Sequence, residues 1–355
     1  MWGDIIIAFF LAFITAYVVT PYTIRFAKKV GALDYPTTER KIHQKPMPRL
    51  GGIAIILGFV VSTTYLIFIM TIEKNIQLIK EDYIKLLGFL LGIVILAITC
   101  YFDDKKSIPP YIKLFAQIIA ALIAVKCGIV IDKIELLGMI NTGENTILLS
   151  IITIVWIVGI TNAINLIDGL DGLSSGICLI SCFSLLMIFA LNKSPIVSIL
   201  LITTLAGGIS GFLPFNMNPA RTFIGDVGSN FLGYSLSIIS ILGVAKTYTA
   251  IVIIAPLIVF AIPMIDTILA IIRRAIKTKS VKGIFKADRE HLHHKLMKKG
   301  YTQKQAVFKL YGISASLGLF AIILLESGIW KAISFALMIL AIVLLGYKDI
   351  FKIKE

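Results

Sequence analysis

Apolar residues gather along this chain in eleven stretches, near 4–24, 50–72, 84–101, 111–127, 147–161, 172–191, 196–215, 228–244, 248–271, 306–326 and 329–346, with polar residues confined to the connections between them. A helix needs roughly 20 apolar residues to cross a hydrocarbon core of about 30 Å. The pattern therefore predicts an all-α, polytopic membrane protein of about eleven transmembrane helices, forming one integral membrane domain over 1–355. The stretch at 147–161 is short, and 228–244 is divided from 248–271 only by the segment around Lys246. The first stretch is expected to stay as a helix, because Met1–Asp4 carries no basic region and no small-residue cleavage site closes the run at Thr20–Pro21.

Composition agrees: 58% of the residues are hydrophobic and 15% charged, outside the range of a soluble domain. The net charge of +14 does not point to nucleic acid, since no soluble face carries it. Residues 22–49 hold seven Lys/Arg and 272–306 hold eleven. Positive charge flanking spans marks the cytoplasmic side. This places the N-terminus outside and the C-terminus inside, with cytoplasmic loops near 25–49, 102–110, 162–171, 216–227 and 272–305. The four cysteines lie in or beside apolar stretches and suggest neither disulfides nor a metal pattern.

Carboxylates beside apolar spans are candidates for function. Five are expected in inner loops: Asp103 and Asp104 after the third stretch, Asp168 and Asp171 in Asn162-Ala-Ile-Asn165-Leu-Ile-Asp168-Gly-Leu-Asp171-Gly, and Asp226 in Phe223-Ile-Gly-Asp226-Val-Gly-Ser. The spacing of three puts Asp168 and Asp171 on one helix face or in one tight turn. Gly225 and Gly228 suggest a bend that a phosphate or another segment can approach closely. Hard oxygen donors in this pattern suit Mg²⁺, with Mn²⁺ as a substitute, better than zinc.

All four histidines fall in predicted cytoplasmic loops: His43 in the first basic loop, and His291, His293 and His294 in one short run after Arg289. Imidazoles there can donate to phosphoryl oxygens. Carboxylates for a metal, clustered histidines and basic loops together describe a site for phosphate-rich anions. No GxxxxGK[ST] or GxGxxG string is present, so a soluble nucleotide fold is not expected.

These motifs carry a resemblance. Asp34-Tyr-Pro-Thr with Arg40-Lys-Ile-His-Gln-Lys-Pro-Met-Pro-Arg-Leu-Gly-Gly52, Asp103-Asp104, Asn162 to Gly172, Phe215-Asn216 to Ser229 and His291-Leu-His-His294 occur in order over nearly the whole chain. In this the chain resembles the polyprenyl-phosphate N-acetylhexosamine-1-phosphate transferases. The resemblance implies transfer of a sugar-1-phosphate from a UDP-sugar to undecaprenyl phosphate in a bacterial plasma membrane, with Mg²⁺ required and UMP released at the cytoplasmic face. It implies that Asp226, Asp104 and Asp168 hold the metal and that Asp103, Asp104, Asp168, His291, His293 and His294 serve catalysis. It also places Asn162, Asp171, Asn216, Phe223, Lys45, His43 and Arg289 at the substrates, with Asn216 and Phe223 at uracil.

The His-x-His-His run and the Arg-Lys-Ile-His loop look like the branch using UDP-N-acetylglucosamine, which starts teichoic acid, O-antigen or similar glycans. The muramoyl-pentapeptide branch typically has three consecutive histidines and a lysine where this chain has Ser107, with Lys105 and Lys106 before it. The mechanism expected is direct in-line attack by the lipid phosphate, with Asp103 taking any residual proton; a covalent aspartyl-phosphate is the rival route. A secondary transporter is the reading from a different class. It would place binding groups near the bilayer midplane, whereas these acids cluster at inner ends. A CDP-alcohol phosphotransferase would need Ala-Arg soon after Asp171-Gly172, where this chain has Leu-Ser-Ser. A homodimer is compatible with the sequence, but Gly88-x-x-x-Gly92 is read as close packing inside one subunit.

Overall fold

The computed structural model of the protein describes residues 2–36, 43, 45–73, 80–131, 135–136, 140–141, 146–244, 250–278 and 290–352. Inside lipid, backbone polar groups must be satisfied within the segment, so apolar stretches become helices. They do so here as α1 (Trp2–Val30), α2 (Gly52–Ile72), α3 (Lys80–Lys105), α4 (Pro110–Lys126), α5 (Thr146–Ile167), α6 (Leu173–Leu191), α7 (Ile196–Asn216) and α8 (Gly225–Val244). These are followed by α9 (Ala250–Val259), α10 (Ala261–Thr278), α11 (Leu292–Lys298), α12 (Gln303–Ser327) and α13 (Ile329–Lys352). The strands are two-residue pairs, β1 (Leu33–Asp34) with β2 (Met47–Pro48) and β3 (Glu135–Leu136) with β4 (Ile140–Asn141), both antiparallel.

The protein is thus all-α and polytopic. Among the described residues, seven helices, α1, α2, α3, α5, α6, α7 and α12, are long and apolar enough to cross a membrane. The single stretch expected over 248–271 is split into α9 and α10. Pro263 has no N–H to offer the Val259 carbonyl one turn back, so the helical ladder is interrupted there. Several helices outrun their apolar stretches. Asp103 and Asp104 lie inside α3 and Asp226 in the first turn of α8, not in loops, and Asn162 and Asn165 belong to α5.

On α1, burial runs opposite to that on a helix of a soluble bundle. Ala8, Ala12 and Ala16 are buried while Ile7, Phe10, Ile14 and Val18 are exposed. Small residues let backbones approach, and large apolar ones face lipid. α1 packs on α2 and α7, and α8 on α3 and α5. The core between them includes Ile55, Phe59, Phe89, Phe212, Phe231 and Tyr234. Gly88 and Gly92 meet Cys127 and Tyr234 of the same chain, which is the intramolecular packing expected of that pair.

The crossing that matters most for the site is α2 over α8. A Cβ on Gly52 would stand 2.7 Å from the Ile224 carbonyl oxygen and closer still to the Gly228 backbone, so at this crossing the two helices meet backbone to backbone through glycine. The segment before each helix continues the contact. Phe223 N donates to Pro48 O (2.8 Å), Gly51 N to Phe223 O (3.1 Å) and Gly52 N to Ile224 O (2.8 Å). The bend expected at Gly225 and Gly228 is therefore an approach to another segment of the chain; Gly225 has φ +72° and backs onto the Arg49 carbonyl.

Candidate functional site

A cleft of about 570 Å³ opens where the α1–α2, α5–α6 and α7–α8 connections and the start of α12 meet. Its charged wall follows from the Gly52–Gly228 crossing, which sets Arg49 against Asp226. Arg49 Nη2 lies 3.2 Å from Asp226 Oδ2, its Nε lies 3.2 Å from Asp104 Oδ1, and its Nη1 lies 4.0 Å from Asp34 Oδ1. Burial pulls the Arg49 guanidinium down, but the carboxylates of Asp104, Asp226 and Asp34 outweigh it and leave its pKa above the ordinary value.

Asp226 takes three donors. Besides Arg49, its Oδ1 accepts from Asn165 Nδ2 (2.6 Å) and lies 3.4 Å from Lys113 Nζ. Lys113 also reaches Asp103 Oδ2 at 2.7 Å, while Asp103 Oδ1 accepts from Ile108 N (2.7 Å). Asp104 is not a cleft-lining residue. Its two oxygens accept from Asp226 N (2.9 Å) and Val227 N (3.0 Å), so it caps the free amides that begin α8. The expectation that Asp104 ligates metal gives way to a capping role, because α3 delivers it buried beneath α8.

Asp168 and Asp171 lie in the turn between α5 and α6, both on the cleft. They do not share a partner: Asp168 Oδ1 accepts from Ser174 Oγ (2.6 Å), and Asp171 Oδ2 accepts from Asn218 Nδ2 (2.9 Å) and Ala220 N (3.1 Å). Burial pushes the Asp168 carboxyl up to about 7 despite the Ser174 hydroxyl. Asn216 lines the cleft, but Ser175 Oγ donates to its Oδ1 (2.8 Å) and its Nδ2 donates to Thr222 O (3.0 Å), which shapes the loop that carries Phe223. Phe223 presents a half-buried ring with His43 at its edge (centroids 5.2 Å), and Lys45 stands at the rim.

Like Asp103 and Asp104, four further expected residues, Asn162, His291, His293 and His294, do not line the cleft. Asn162 donates to Gln117 Oε1 (2.6 Å), and Gln117 donates in turn to Asn230 Oδ1 (2.7 Å), so Asn162 braces α4 and α8 from behind; Asn165, one turn on, makes the contact with Asp226. His291 is buried against Asp266, and His294 packs on His293. His293 abuts Gly169, beside Asp168. Burial, with His294 and His291 adding to it, holds its imidazole at about 3, so it is neutral and any hydrogen bond it donates is an uncharged one. Arg289 lies outside the described residues, as do Arg40 and Lys41.

Arg49, Lys113 and Asn165 are the site residues that sequence reasoning missed as such. A lysine just inside an apolar helix is a functional signal in itself, and Lys113 carries it. Asn165 shares a helix face with Asn162. α12, which bears no motif, still reaches the site: Gln303 lines the cleft and Tyr311 Oη donates to Gly172 O (2.5 Å), steadying the Asp168–Gly172 turn.

For a metal, the described residues contain no ready-made group of three His/Cys/Asp/Glu side chains. Mg²⁺ commonly takes one or two carboxylates and completes its shell with water and substrate phosphate. Asp168 and Asp226, both facing the cleft, fit that requirement.

The profile of glycosyl transferase family 4 matches residues 86–244. The chain is 35% identical over 338 residues, covering 95% of its own length and 89% of the relative's, to a probable undecaprenyl-phosphate N-acetylglucosaminyl 1-phosphate transferase of Bacillus subtilis. It is 32% identical to the undecaprenyl-phosphate alpha-N-acetylglucosaminyl 1-phosphate transferase of Haemophilus influenzae, over 88% of this chain and 83% of that one. It is also 29% identical to a phospho-N-acetylmuramoyl-pentapeptide-transferase of a Geobacillus strain, over 92% and 98%.

Proposed function

The chain belongs to glycosyl transferase family 4, among the polyprenyl-phosphate sugar-1-phosphate transferases, and from that premise we propose that it moves N-acetylglucosamine-1-phosphate from UDP-N-acetylglucosamine to undecaprenyl phosphate. The single observation that carries the reading is the cluster of Arg49 and Lys113 held among Asp103, Asp104 and Asp226 beside the Phe223 ring, which offers cations to two phosphate groups and a face to a base. The reaction sits in a bacterial plasma membrane with the cleft on the cytoplasmic side, and its product feeds a cell-surface glycan.

An oxygen of the lipid phosphate forms the new bond to the donor's β-phosphorus. The bridging bond to the α-phosphate breaks, and UMP leaves with the electron pair. The acceptor's second pKa is about 6, so at neutral pH it is mostly dianionic and needs no strong base. Both Asp103 oxygens are engaged, by Ile108 N and Lys113, which makes Asp103 a holder of Lys113 more than a proton acceptor. Arg49 and Lys113 offset repulsion between the two anions, Phe223 stacks on uracil, and His293 borders the wall beside Asp168. Asp168 and Asp226 would hold Mg²⁺, which when bound supplies charge stabilisation to the phosphates.

The test is UMP release by the purified protein in detergent with undecaprenyl phosphate, Mg²⁺ and either UDP-N-acetylglucosamine or the UDP-muramoyl-pentapeptide. Release with the first donor alone, abolished by EDTA, is the expected result. Release only with the second would move the chain to the muramoyl branch, and release with neither would overturn the donor assignment.

A further inference from the structure

Three acids are buried among the described residues: Asp103, Asp104 and Asp266. The first two belong to the charged wall of the cleft. Asp266 does not. It lies on α10, where a carboxylate out of water is costly unless it is fully paired. Its two oxygens take the two ends of one short piece of chain: Oδ2 lies 2.8 Å from His291 Nδ1, and Oδ1 accepts from Leu292 N at 2.9 Å.

That pairing does three things. His291 is the N-cap residue of α11 and makes no cap bond with its own side chain, so Asp266 supplies the cap from another helix. A carboxylate can only accept, so His291 carries its proton on Nδ1 and turns Nε2 toward Arg274 Nη2, 3.4 Å away. With its ring so fixed, His291 lies parallel to His293 (centroids 5.8 Å, 2° between planes), and His293 is buried against Gly169 next to Asp168. Among the described residues His293 Nδ1 has no hydrogen-bond partner, and packing by its neighbours aims this ring.

We infer that Asp266 is a positioning residue: by gripping His291 Nδ1 and the Leu292 amide together, it hangs the histidine turn from α10 and sets where His293 meets the Asp168–Gly169 wall. The effect on turnover rests on the sugar-1-phosphate transfer proposed above; the anchoring itself does not. A hydrogen bond held by an outer partner typically governs a site group at the level of about 10- to 100-fold in activity.

The experiment uses the full-length protein in detergent with Asp266→Ala, Asp266→Asn, His291→Ala and the double Asp266→Ala/His291→Ala. Hydrogen exchange is followed in peptides covering 290–300 and 261–278, together with kcat and donor KM for UMP release. Asp266→Ala is expected to speed exchange over 290–300 while leaving 261–278 protected. It should lower kcat by about 10- to 100-fold with donor KM little changed. Asp266→Asn, which keeps an acceptor for Leu292 N, should restore protection and part of kcat even if the alanine variant folds poorly. The double variant should be no worse than the poorer single one. Unchanged exchange over 290–300 in Asp266→Ala, or additive losses in the double, would overturn the inference. If the unaltered protein releases no UMP, the transfer reading fails while the exchange result still decides whether Asp266 anchors the turn.

Discussion

Lys113 stands 2.7 Å from Asp103 Oδ2 and 3.4 Å from Asp226 Oδ1, and Asp226 also faces Arg49. Removing one member of a partly buried charge cluster leaves the others uncompensated, which commonly costs about 3–5 kcal/mol when the groups are fully desolvated. Lys113 is less buried than that, so the loss should be smaller in stability and larger in turnover. Lys113→Met is expected to lower kcat/KM for UMP release at least about 100-fold, the scale of losing one charged stabiliser of developing charge. Retention of more than half the activity would show that the lysine is a bystander. At the same scale, His293 has a protonation consequence. Its imidazole is held neutral down to about 3 when folded, against 6.5 ordinarily. The stability this contributes is therefore complete above pH 6.5 and is lost as pH falls toward 3. Linkage makes the loss about 2 kcal/mol at pH 5 relative to pH 8. Because the raised Asp168 carboxyl acts in the opposite sense over the same range, the contribution is read as a difference: on going from pH 8 to pH 5, His293→Gln should lose less thermal stability, or gain more, than the unaltered protein.

At the scale of elements, two helices place the charged wall. α2 and α8 cross through Gly52 and Gly228 with no room for a Cβ, and that contact brings residue 49 to residue 226. Gly52→Ala must push backbone against backbone, a strain of about 1–3 kcal/mol for overpacking. It should lower the midpoint of thermal unfolding and, by separating Arg49 from Asp226, cost more activity than stability alone explains. Gly159→Ala on α5, where an added Cβ meets nothing within 4 Å, is the matched control and should be neutral or slightly stabilising. Equal behaviour of the two variants would remove the crossing from the account. α12 teaches a related lesson. It carries no motif, yet its first turn supplies Gln303 to the cleft and its third turn supplies Tyr311 to the Gly172 carbonyl, through packing against α6.

For the molecule as a whole, the residues that line the cleft come from connections an even number of spans apart in the expected topology, so they share one end of the bundle. Applied to the eighteen positive charges in the two basic segments, the positive-inside rule predicts that this end faces the cytoplasm. A single cysteine at the exposed Lys299, introduced after removal of the four native ones, should resist an impermeant thiol reagent in spheroplasts and react in inverted vesicles. Reaction in spheroplasts would invert the topology and place the site on the outer face. Helix existence was legible in the apolar runs, because an unbroken apolar stretch of about 20 residues in lipid satisfies its backbone within itself only as a helix. So were Asp168, Asp171, Asp226 and His43 as cleft residues, since acids and histidines are rare in such a composition, and Phe223 through the motif that carries the resemblance. The split between α9 and α10 at Pro263 was legible in principle, but hydropathy averages over it. Capping by Asp104, bracing by Asn162 and the partnership of Arg49, Lys113 and Asn165 with Asp226 were not, because each joins residues more than 40 positions apart in the chain. Composition and periodicity determine that the helices form and which residues are costly to place in lipid. Only the glycine-mediated crossing of packed helices decides which of those residues meet, because side-chain contact depends on where two backbones can approach, and that is a property of both helices together.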